Sequence, residues 1–228
     1  MRLDKFLAHN GYGTRKDVKA LIKKKLVLVN GDIAKDAAFN LDVTKDSVVV
    51  DGIEIHYTQD AYFMINKPAG YECTHKPENY PSVLELLDEV RNDLIFVGRL
   101  DADTEGLLFI TNDGKFAHNI ASGKKEIRKT YYVELSKPFD TRFIEPLKLG
   151  IPMDEDILKP AFVEVIDENK IHLSIAEGKY HQVKRMMHYC ENEVTYLKRV
   201  SIGNVELDNS LELGEYRPLT PAEISQYI

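Results

Sequence analysis

The sequence predicts an α+β protein with a small N-terminal domain over residues 1–57 and a larger domain over residues 61–228. Two observations predict this fold class. The first part shows two short helical patterns followed by two hairpins, whereas strand patterns outnumber helical ones in the second part. Because those strands do not alternate regularly with helices, the larger domain is expected to hold a largely antiparallel mixed sheet flanked by helices.

Composition places the chain among globular proteins. Hydrophobic residues make up 43% and charged residues 29% of its 228 residues, which is ordinary for a protein with a buried core. No apolar run approaches the roughly 18 residues of a membrane helix, and the N-terminus lacks the apolar stretch of a secretory signal. The two cysteines, Cys73 and Cys190, are too few for a disulfide framework. We therefore expect a cytoplasmic protein with no membrane partner.

Charge is distributed unevenly along the chain. Residues 1–31 hold eight basic and two acidic residues, a net charge of +6, so the remainder must carry −13 to give the total of −7. A small cationic region joined to an acidic body indicates an anionic polymer as the partner.

Two short helices are predicted at the start of the chain. The apolar residues within 3–7 follow helical spacing, and Thr14 can cap a second helix in which Asp17 completes a capping box. Basic residues recur at every fourth position of this second helix and share one face: Arg15, Lys19 and Lys23. Like charges at this spacing destabilise an isolated helix, so an anionic partner is expected against this face.

Hairpins follow the two helices. The run 27–29 leads into Asn30-Gly31, and the run 48–50 leads into Asp51-Gly52, which are the dipeptides that favour tight hairpin turns. In the second domain, strands are predicted at 62–65, 94–97, 107–110, 131–135, 162–166 and 171–175. Helices are predicted around 115–121, 141–149 and 180–190.

Several chemistries are excluded by the motifs that the chain lacks. It has no phosphate-binding Gly-rich loop, no dinucleotide fingerprint and no Ser-His-Asp order. The segment 101–106 starts like a calcium loop, but Asn112 stands where a bidentate Glu is needed. Cys73 and Cys190 each have a histidine two positions away, a spacing that does not fit zinc ligand pairs. What remains is an acid, Asp101, at the end of a predicted strand, and we predict no metal site.

The N-terminal elements resemble a known RNA-binding domain. A helix, a Thr-Arg-Lys helix and a Leu-Val-x-Val-Asn-Gly-Asp hairpin follow one another as in the αL-type domain named after small-subunit ribosomal protein S4. The resemblance spans residues 1–57. It implies that the second helix lies against RNA phosphates through four basic residues: Arg15, Lys16, Lys19 and Lys23. Such contacts position a protein on RNA and carry little sequence information.

The rest of the chain resembles the pseudouridine synthases of the RsuA type. The matching motifs, in the family's own order, are Asn66-Lys67-Pro68, Gly98-Arg99-Leu100-Asp101-Ala102-Asp103-Thr104-Glu105-Gly106, Lys129-Thr130-Tyr131-Tyr132-Val133, Glu177-Gly178-Lys179-Tyr180-His181-Gln182-Val183-Lys184-Arg185-Met186 and Gly214-Glu215-Tyr216-Arg217-Pro218-Leu219-Thr220. Together with the N-terminal domain, the resemblance covers essentially the whole chain. It implies an isomerase that converts a uridine of RNA to pseudouridine without a cofactor.

The resemblance implies three catalytic residues. Asp101 acts on the ribose, either as a nucleophile at the anomeric carbon or as a base at the adjacent sugar carbon, and the sequence does not choose between these routes. Lys184 supplies the cation that favours an ionised acid, although many relatives carry Arg there. Tyr131 stacks on the target base, which must be flipped out of an RNA helix.

Three further residues are implied to contact the substrate. Arg185 lies behind Lys184, and Leu219 lines the pocket wall. Arg99 either braces the RNA strand or pairs with Glu105. Asp103 and Glu105 are interpreted as parts of the turn.

The predicted substrate is a uridine of 16S rRNA, free or within a pre-ribosomal particle, and the predicted state is a monomer. Two alternatives stay open. The same chemistry could act on 23S rRNA, or the chain could be an inactive RNA-binding assembly factor. The residues 181–186 and 216–220 favour the small-subunit enzyme.

Overall fold

The computed structural model describes residues 1–55, 60–88, 91–122 and 125–228. The chain forms two compact units. The first comprises Met1–Ala61 and Asp88–Leu94, and the second comprises Tyr62–Leu87 and Ile95–Ile228. The predicted division into 1–57 and 61–228 remains a prediction. It assigns residues 88–94 to the second domain, whereas the structure groups them with the first unit.

The first unit begins with helix α1 (Leu3–His9) and helix α2 (Arg15–Lys23). The capping box predicted from Thr14 and Asp17 is present at the start of α2. Four short strands follow: β1 (Val27–Val29), β2 (Asp32–Ile33), β3 (Val48–Val50) and β4 (Ile53–Glu54). They form an antiparallel sheet in the order β2-β1-β3-β4, and both predicted hairpins are confirmed.

The core of this unit is made by the residues that give the helices their amphipathic pattern. Leu3, Leu7 and Val18 are fully buried and pack against Val27 and Val48 of the sheet. The segment 88–94 joins this unit through Asn92, whose backbone N–H donates to the carbonyl of His9 at 2.9 Å.

The second unit is built on a nine-stranded sheet. Its strands are β5 (Tyr62–Lys67), β6 (Ile95–Phe96), β7 (Glu105–Thr111), β8 (Lys129–Leu135), β11 (Phe162–Asp167), β12 (Lys170–Ile175), β13 (Val194–Ile202), β14 (Val205–Glu206) and β15 (Tyr216–Pro218). The main order is β11-β12-β8-β13-β7-β5-β15, with β14 on β13 and β6 on β7. A separate hairpin joins β9 (Pro152–Met153) to β10 (Asp156–Ile157).

Pairing in the large sheet is antiparallel except where β13 runs parallel to β7, within the strands that the structure describes. Helices α3 (Gly114–Ala121), α4 (Ile144–Leu149), α5 (Gln182–Tyr189) and α6 (Pro221–Ser225) accompany the sheet. The α+β class with a largely antiparallel mixed sheet is thus confirmed. None of the described helices is long and apolar enough to cross a membrane.

Backbones approach closely where the parallel strands β7 and β13 meet. Gly106 pairs with Arg199, and its φ is +99°. A Cβ at this position would lie 2.3 Å from the carbonyl oxygen of Arg199. Only glycine fits there, because it lacks a Cβ and adopts a positive φ at little cost. This close contact sets the position of the loop that precedes β7.

Strand β13 was not predicted. It is the longest strand of the sheet among the described residues and lies between β8 and β7. Its central Arg199 is 3% exposed and donates from Nε to the carbonyl of Leu107 at 2.7 Å. A charged residue at a buried position breaks the apolar alternation by which strands are identified in a sequence.

Candidate active site

Asp101 lies in the loop that leads into β7, and the last residue of β5 supports this loop. That residue, Lys67, is fully buried. Its ammonium group donates to the backbone carbonyls of Pro68 at 2.9 Å, Ala102 at 3.3 Å and Thr104 at 2.8 Å. Burial lowers the pKa of Lys67, and nearby acidic side chains offset this effect only in part. The buried cation therefore fixes the backbone directly after Asp101.

The carboxylate of Asp101 faces two basic side chains. Nζ of Lys184 lies 3.5 Å from Oδ2 of Asp101, and Nε2 of His181 lies 3.6 Å from Oδ1. The Asp101 side chain is 33% exposed, so it is open to a ligand from solvent. The arrangement offers a carboxylate that is accessible on one side and has a positive charge close by.

Lys184 has a second and closer acidic partner. Its Nζ donates to both carboxylate oxygens of Asp103, at 2.7 and 2.8 Å. Burial raises the pKa of Asp103, but the hydrogen bonds and the charge of Lys184 outweigh this effect, and the pKa lies below its usual value. Asp103 was interpreted as a turn residue, and this was incomplete because the turn presents its carboxylate to the cation opposite.

Helix α5 positions both basic groups. His181 precedes the helix with φ +49° and ψ +32°, a left-handed conformation that is uncommon for a residue other than glycine. The side-chain oxygen of Gln182, the first residue of the helix, accepts from the backbone N–H of Lys179 at 2.8 Å. Gln182 is itself buried, so the turn before α5 is held against the core. Lys184 follows two positions later in the first turn.

Tyr131 comes from strand β8, which β13 separates from β7. Burial alternates along this strand, with Tyr131 8% exposed and Tyr132 half-buried on the other face. The Tyr132 hydroxyl donates to Glu134 at 2.8 Å. Of the two tyrosines, Tyr131 therefore faces the side of the sheet that carries the Asp101 loop.

These side chains line one small, half-open cleft of about 70 Å³. Its lining includes Arg99, Asp101, Tyr131, Lys179, His181 and Lys184, together with apolar residues such as Ile175, Val183 and Leu197. The structure thus brings together the three residues predicted to be catalytic and one residue predicted to contact the substrate. Within the described ranges, no three His, Cys, Asp or Glu side chains are grouped as a metal site requires.

The structure places two other predicted contact residues outside this cleft. Leu219 is 6% exposed and belongs to the core cluster that contains Met64 and Phe109, so it does not line the cleft. Arg185 turns to Asp154, with 2.5 Å between Nη2 and Oδ1, and lines an adjacent cavity shared with His181 and Lys184.

Arg99 is exposed at the rim of the cleft. In the part of the chain that the structure describes, no ion pair joins it to Glu105. Glu105 instead accepts a hydrogen bond from the Tyr196 hydroxyl at 2.6 Å. The pairing that the sequence offered as one option for Arg99 is therefore absent, and its side chain is available to solvent.

The four cations predicted to contact RNA lie on helix α2 and are exposed: Arg15, Lys16, Lys19 and Lys23. The opposite side of α2 is buried through Val18 and Ile22. The cationic face predicted from the sequence spacing is thus present on the first unit.

Sequence reasoning missed His181, which lines the cleft, and two residues that support the cleft without lining it: Lys67, which is bound to the backbone after Asp101, and Asp103, which is paired with Lys184. Lys67 belongs to the Asn66-Lys67-Pro68 motif, and its position at the end of an apolar strand was a signal for a buried cation. His181 lies three positions before Lys184, so both reach the same side of one helical turn. No local signal places His181 or Lys184 near Asp101, because about 80 residues of sequence separate Asp101 from both.

Two family models match the chain. Residues 61–189 match the model described as RNA pseudouridylate synthase, and residues 1–48 match the S4 domain. A solved structure described as a pseudouridylate synthase has 38% sequence identity and a TM-score of 0.72, with full coverage of both chains.

Curated relatives match over nearly the whole chain. An uncharacterised RNA pseudouridine synthase, YtzG, of Bacillus subtilis is 43% identical over 98% of this chain and 97% of its own. The ribosomal small subunit pseudouridine synthase A of Escherichia coli K12 is 41% identical, and that of Haemophilus influenzae is 38% identical, each over the full length of both chains. With the fold, the cleft and these matches in agreement, this chain belongs to the RNA pseudouridylate synthase family and carries an N-terminal S4 domain.

Proposed function

We propose that this enzyme converts one uridine of small-subunit (16S) rRNA to pseudouridine, with Asp101 as the reacting carboxylate. The observation that carries the proposal is the position of Asp101, in one cleft with Tyr131 and Lys184. The small-subunit target is supported by the relatives that bear the name ribosomal small subunit pseudouridine synthase A.

The reaction is an isomerisation. The bond between N1 of uracil and C1′ of ribose breaks, the base turns, and C5 bonds to C1′. C5 then loses its proton and N1 gains one, so no group is transferred to or from the substrate. Asp101 starts the reaction by attack on C1′ or by removal of the proton on C2′.

The other residues of the cleft hold the reactants. Tyr131 supplies a ring on which the flipped uracil stacks, an interaction worth about 1–3 kcal/mol per base. Lys184 places a positive charge beside Asp101, and Asp103 fixes the lysine through two hydrogen bonds. The cations of α2 add affinity for RNA phosphates, which helps to offset the cost of flipping a base.

The main test replaces Asp101. Asp101→Asn keeps the size and polarity of the side chain and should fold and bind RNA, yet it should form no pseudouridine. Pseudouridine is mapped by carbodiimide adduct and primer extension on 16S and 23S rRNA, in cells that lack the gene and carry the wild type or a variant. Asp167→Asn, an exposed position on β11, is the matched control and should restore the modification.

Each outcome of this experiment decides one point. A stop in 16S rRNA that the wild type and Asp167→Asn restore, and Asp101→Asn does not, supports the proposal. A stop in 23S rRNA instead would keep the chemistry and overturn the target. No change in either RNA would favour an RNA-binding assembly factor, and full activity of Asp101→Asn would refute the role of Asp101.

The cellular setting is part of the proposal. We infer that the enzyme works in the cytoplasm as a monomer, on rRNA that is either free or partly assembled into a ribosomal subunit. Comparison of naked 16S rRNA with partly assembled particles as substrates tests the last point, and the mass of the purified protein in solution tests the second.

A further inference from the structure

Two aromatic rings are stacked at the opening of the cleft. The centroids of the Tyr180 and His181 rings lie 3.8 Å apart, and their planes differ by 18°. His181 lines the cleft and reaches towards Asp101. Tyr180 is 73% exposed, which makes it one of the most exposed large apolar side chains in the described part of the chain. The stack therefore runs from the reacting carboxylate outwards into solvent.

The local backbone holds the stack in place. His181 has a left-handed conformation, which is uncommon for a residue with a Cβ. On the other side of Tyr180, the ammonium of Lys179 pairs with Asp156 at 2.7 Å. Tyr180 is thus presented between two fixed neighbours, while its own ring is left largely uncovered.

Hydrophobic stabilisation does not explain why an exposed position carries a tyrosine, Tyr180. Burial stabilises a side chain in proportion to the apolar area removed from water, and Tyr180 removes little. An aromatic ring with a free face suits an unstacked RNA base, because every base has a π-face and stacks without sequence-specific hydrogen bonds.

Charge around the stack fits the same ligand. Lys179 and Arg185 both lie within four positions of His181 and pair with exposed carboxylates. Exposed ion pairs contribute little to stability, so RNA phosphates can replace these carboxylates as partners at small cost.

We propose that Tyr180 and His181 form a second base platform, which stacks an unpaired base adjacent to the target uridine. This inference rests on the proposed function and deepens it. Tyr131 is nearly buried and receives the target base inside the cleft, whereas Tyr180 is outside and receives a neighbour of that base on the same strand. The enzyme would therefore select uridines in loops or bulges, where a flanking base is also free to unstack.

The test uses a short RNA that contains the modified uridine, in versions with an abasic nucleotide on its 5′ side, its 3′ side or both. Affinity is measured in the Asp101→Asn background, so that no reaction occurs during binding. Tyr180→Ala should weaken binding of the intact RNA by about 5- to 150-fold, the loss expected for one base stacked on one aromatic ring. Tyr180→Phe should bind like Tyr180, and Tyr80→Ala, another exposed tyrosine, should have no effect.

The abasic RNAs identify the base involved. Removal of the stacked base should abolish the difference in RNA affinity between the protein with Tyr180 and the Tyr180→Ala variant, because the two changes remove the same interaction. In active enzyme, Tyr180→Ala should raise KM and leave kcat within about twofold. When 2-aminopurine replaces the stacked base, its fluorescence should be lower in the complex with the protein that carries Tyr180 than in the complex with the Tyr180→Ala variant.

Two results would overturn the platform. One is that Tyr180→Ala binds the intact RNA as tightly as the protein with Tyr180, and the other is that its loss of affinity persists when both flanking bases are absent. If the wild type modifies the RNA and either result is found, the platform alone fails. If the wild type forms no pseudouridine in any RNA, the proposed function fails and the platform fails with it.

Discussion

At the scale of single residues, the cleft depends on cations whose charge is compensated by groups on other elements. Lys184 is shared between Asp101 and Asp103, and Lys67 is bound by backbone carbonyls in the core. A lysine ammonium carries three donors, which match the three carbonyls around Lys67. The Asp101 loop therefore owes its position to hydrogen bonds that a neutral side chain of similar size cannot make.

Lys67→Met should destabilise the protein by about 2–4 kcal/mol, because buried carbonyls that lose their donor each cost about 1–3 kcal/mol and the removal of a buried charge offsets part of this. It should also lower kcat, since the Asp101 loop loses its support. Urea unfolding and steady-state assays measure the two effects. Lys115→Met, at an exposed lysine of α3, is the control and should change neither. Wild-type kcat in folded Lys67→Met would contradict this role.

At the scale of secondary structure elements, packing against neighbouring elements fixes one side of β7 and one side of α2. The parallel pairing of β7 and β13 requires a glycine at the point of closest approach. Helix α2 presents its cations because its other side is buried in the first unit. In both cases, one side of the element is fixed by packing, and the function belongs to the other face, as in α2, or to the loop that precedes the element, as in β7.

Gly106→Ala should destabilise the protein by about 3–5 kcal/mol or prevent folding, because overpacking and a positive φ both add cost. Gly114→Ala is the matched control: a Cβ there meets nothing within 4 Å, and its φ is not positive. This control should be neutral or slightly stabilising, since alanine is the better helix former. Thermal and urea unfolding compare the two, and equal stability of both variants would refute the close-approach argument.

Neutralising two cations of α2, Lys19→Gln with Lys23→Gln, should weaken RNA binding and flatten its salt dependence. Each lost phosphate contact lowers the slope of log affinity against log salt by roughly 0.7–0.9. A fall of about 1.5 in this slope is expected for the pair, measured by filter binding between about 50 and 200 mM salt. The double variant Lys115→Gln with Lys148→Gln removes two exposed lysines elsewhere and should keep the wild-type slope. An unchanged slope in the α2 variant would mean that this face does not contact phosphates.

At the scale of the whole molecule, the C-terminal segment is tied to the large sheet by one ionic cluster. Arg217 of β15 donates to Asp208 at 2.6 Å and to Glu223 of α6 at 2.8 and 3.0 Å. Hydrogen bonds from Arg217 lower the pKa of Glu223 to about 2, against its usual 4.5, although burial opposes the shift. Glu223 therefore contributes stability above pH 4.5 that is lost as the pH falls towards about 2.

Arg217→Met should lower the free energy of unfolding near pH 7 by about 1–3 kcal/mol, as expected for a partly buried ionic network. The difference from wild type should shrink as the pH falls from about 4.5 to about 2, because Glu223 and Asp208 no longer gain from the arginine once they are protonated. Urea unfolding at several pH values measures this. Arg142→Met, at an exposed ion pair, should cost under about 1 kcal/mol at every pH. A constant difference at all pH values would exclude a role for Glu223.

Features that depend on neighbours along the chain were predictable from the amino-acid sequence. The capping box of Thr14, the Asn-Gly and Asp-Gly hairpins and the cationic face of α2 all arise from contacts within a few residues. The motifs around Asp101 and Lys184 likewise identified the family. The tertiary structure alone decided which distant groups meet: His181 beside Asp101, Asp103 on Lys184, Leu219 in the core and Arg199 buried in a central strand. A buried or paired charge and a core side chain are both stabilised by partners far away in sequence, and no local pattern encodes those partners.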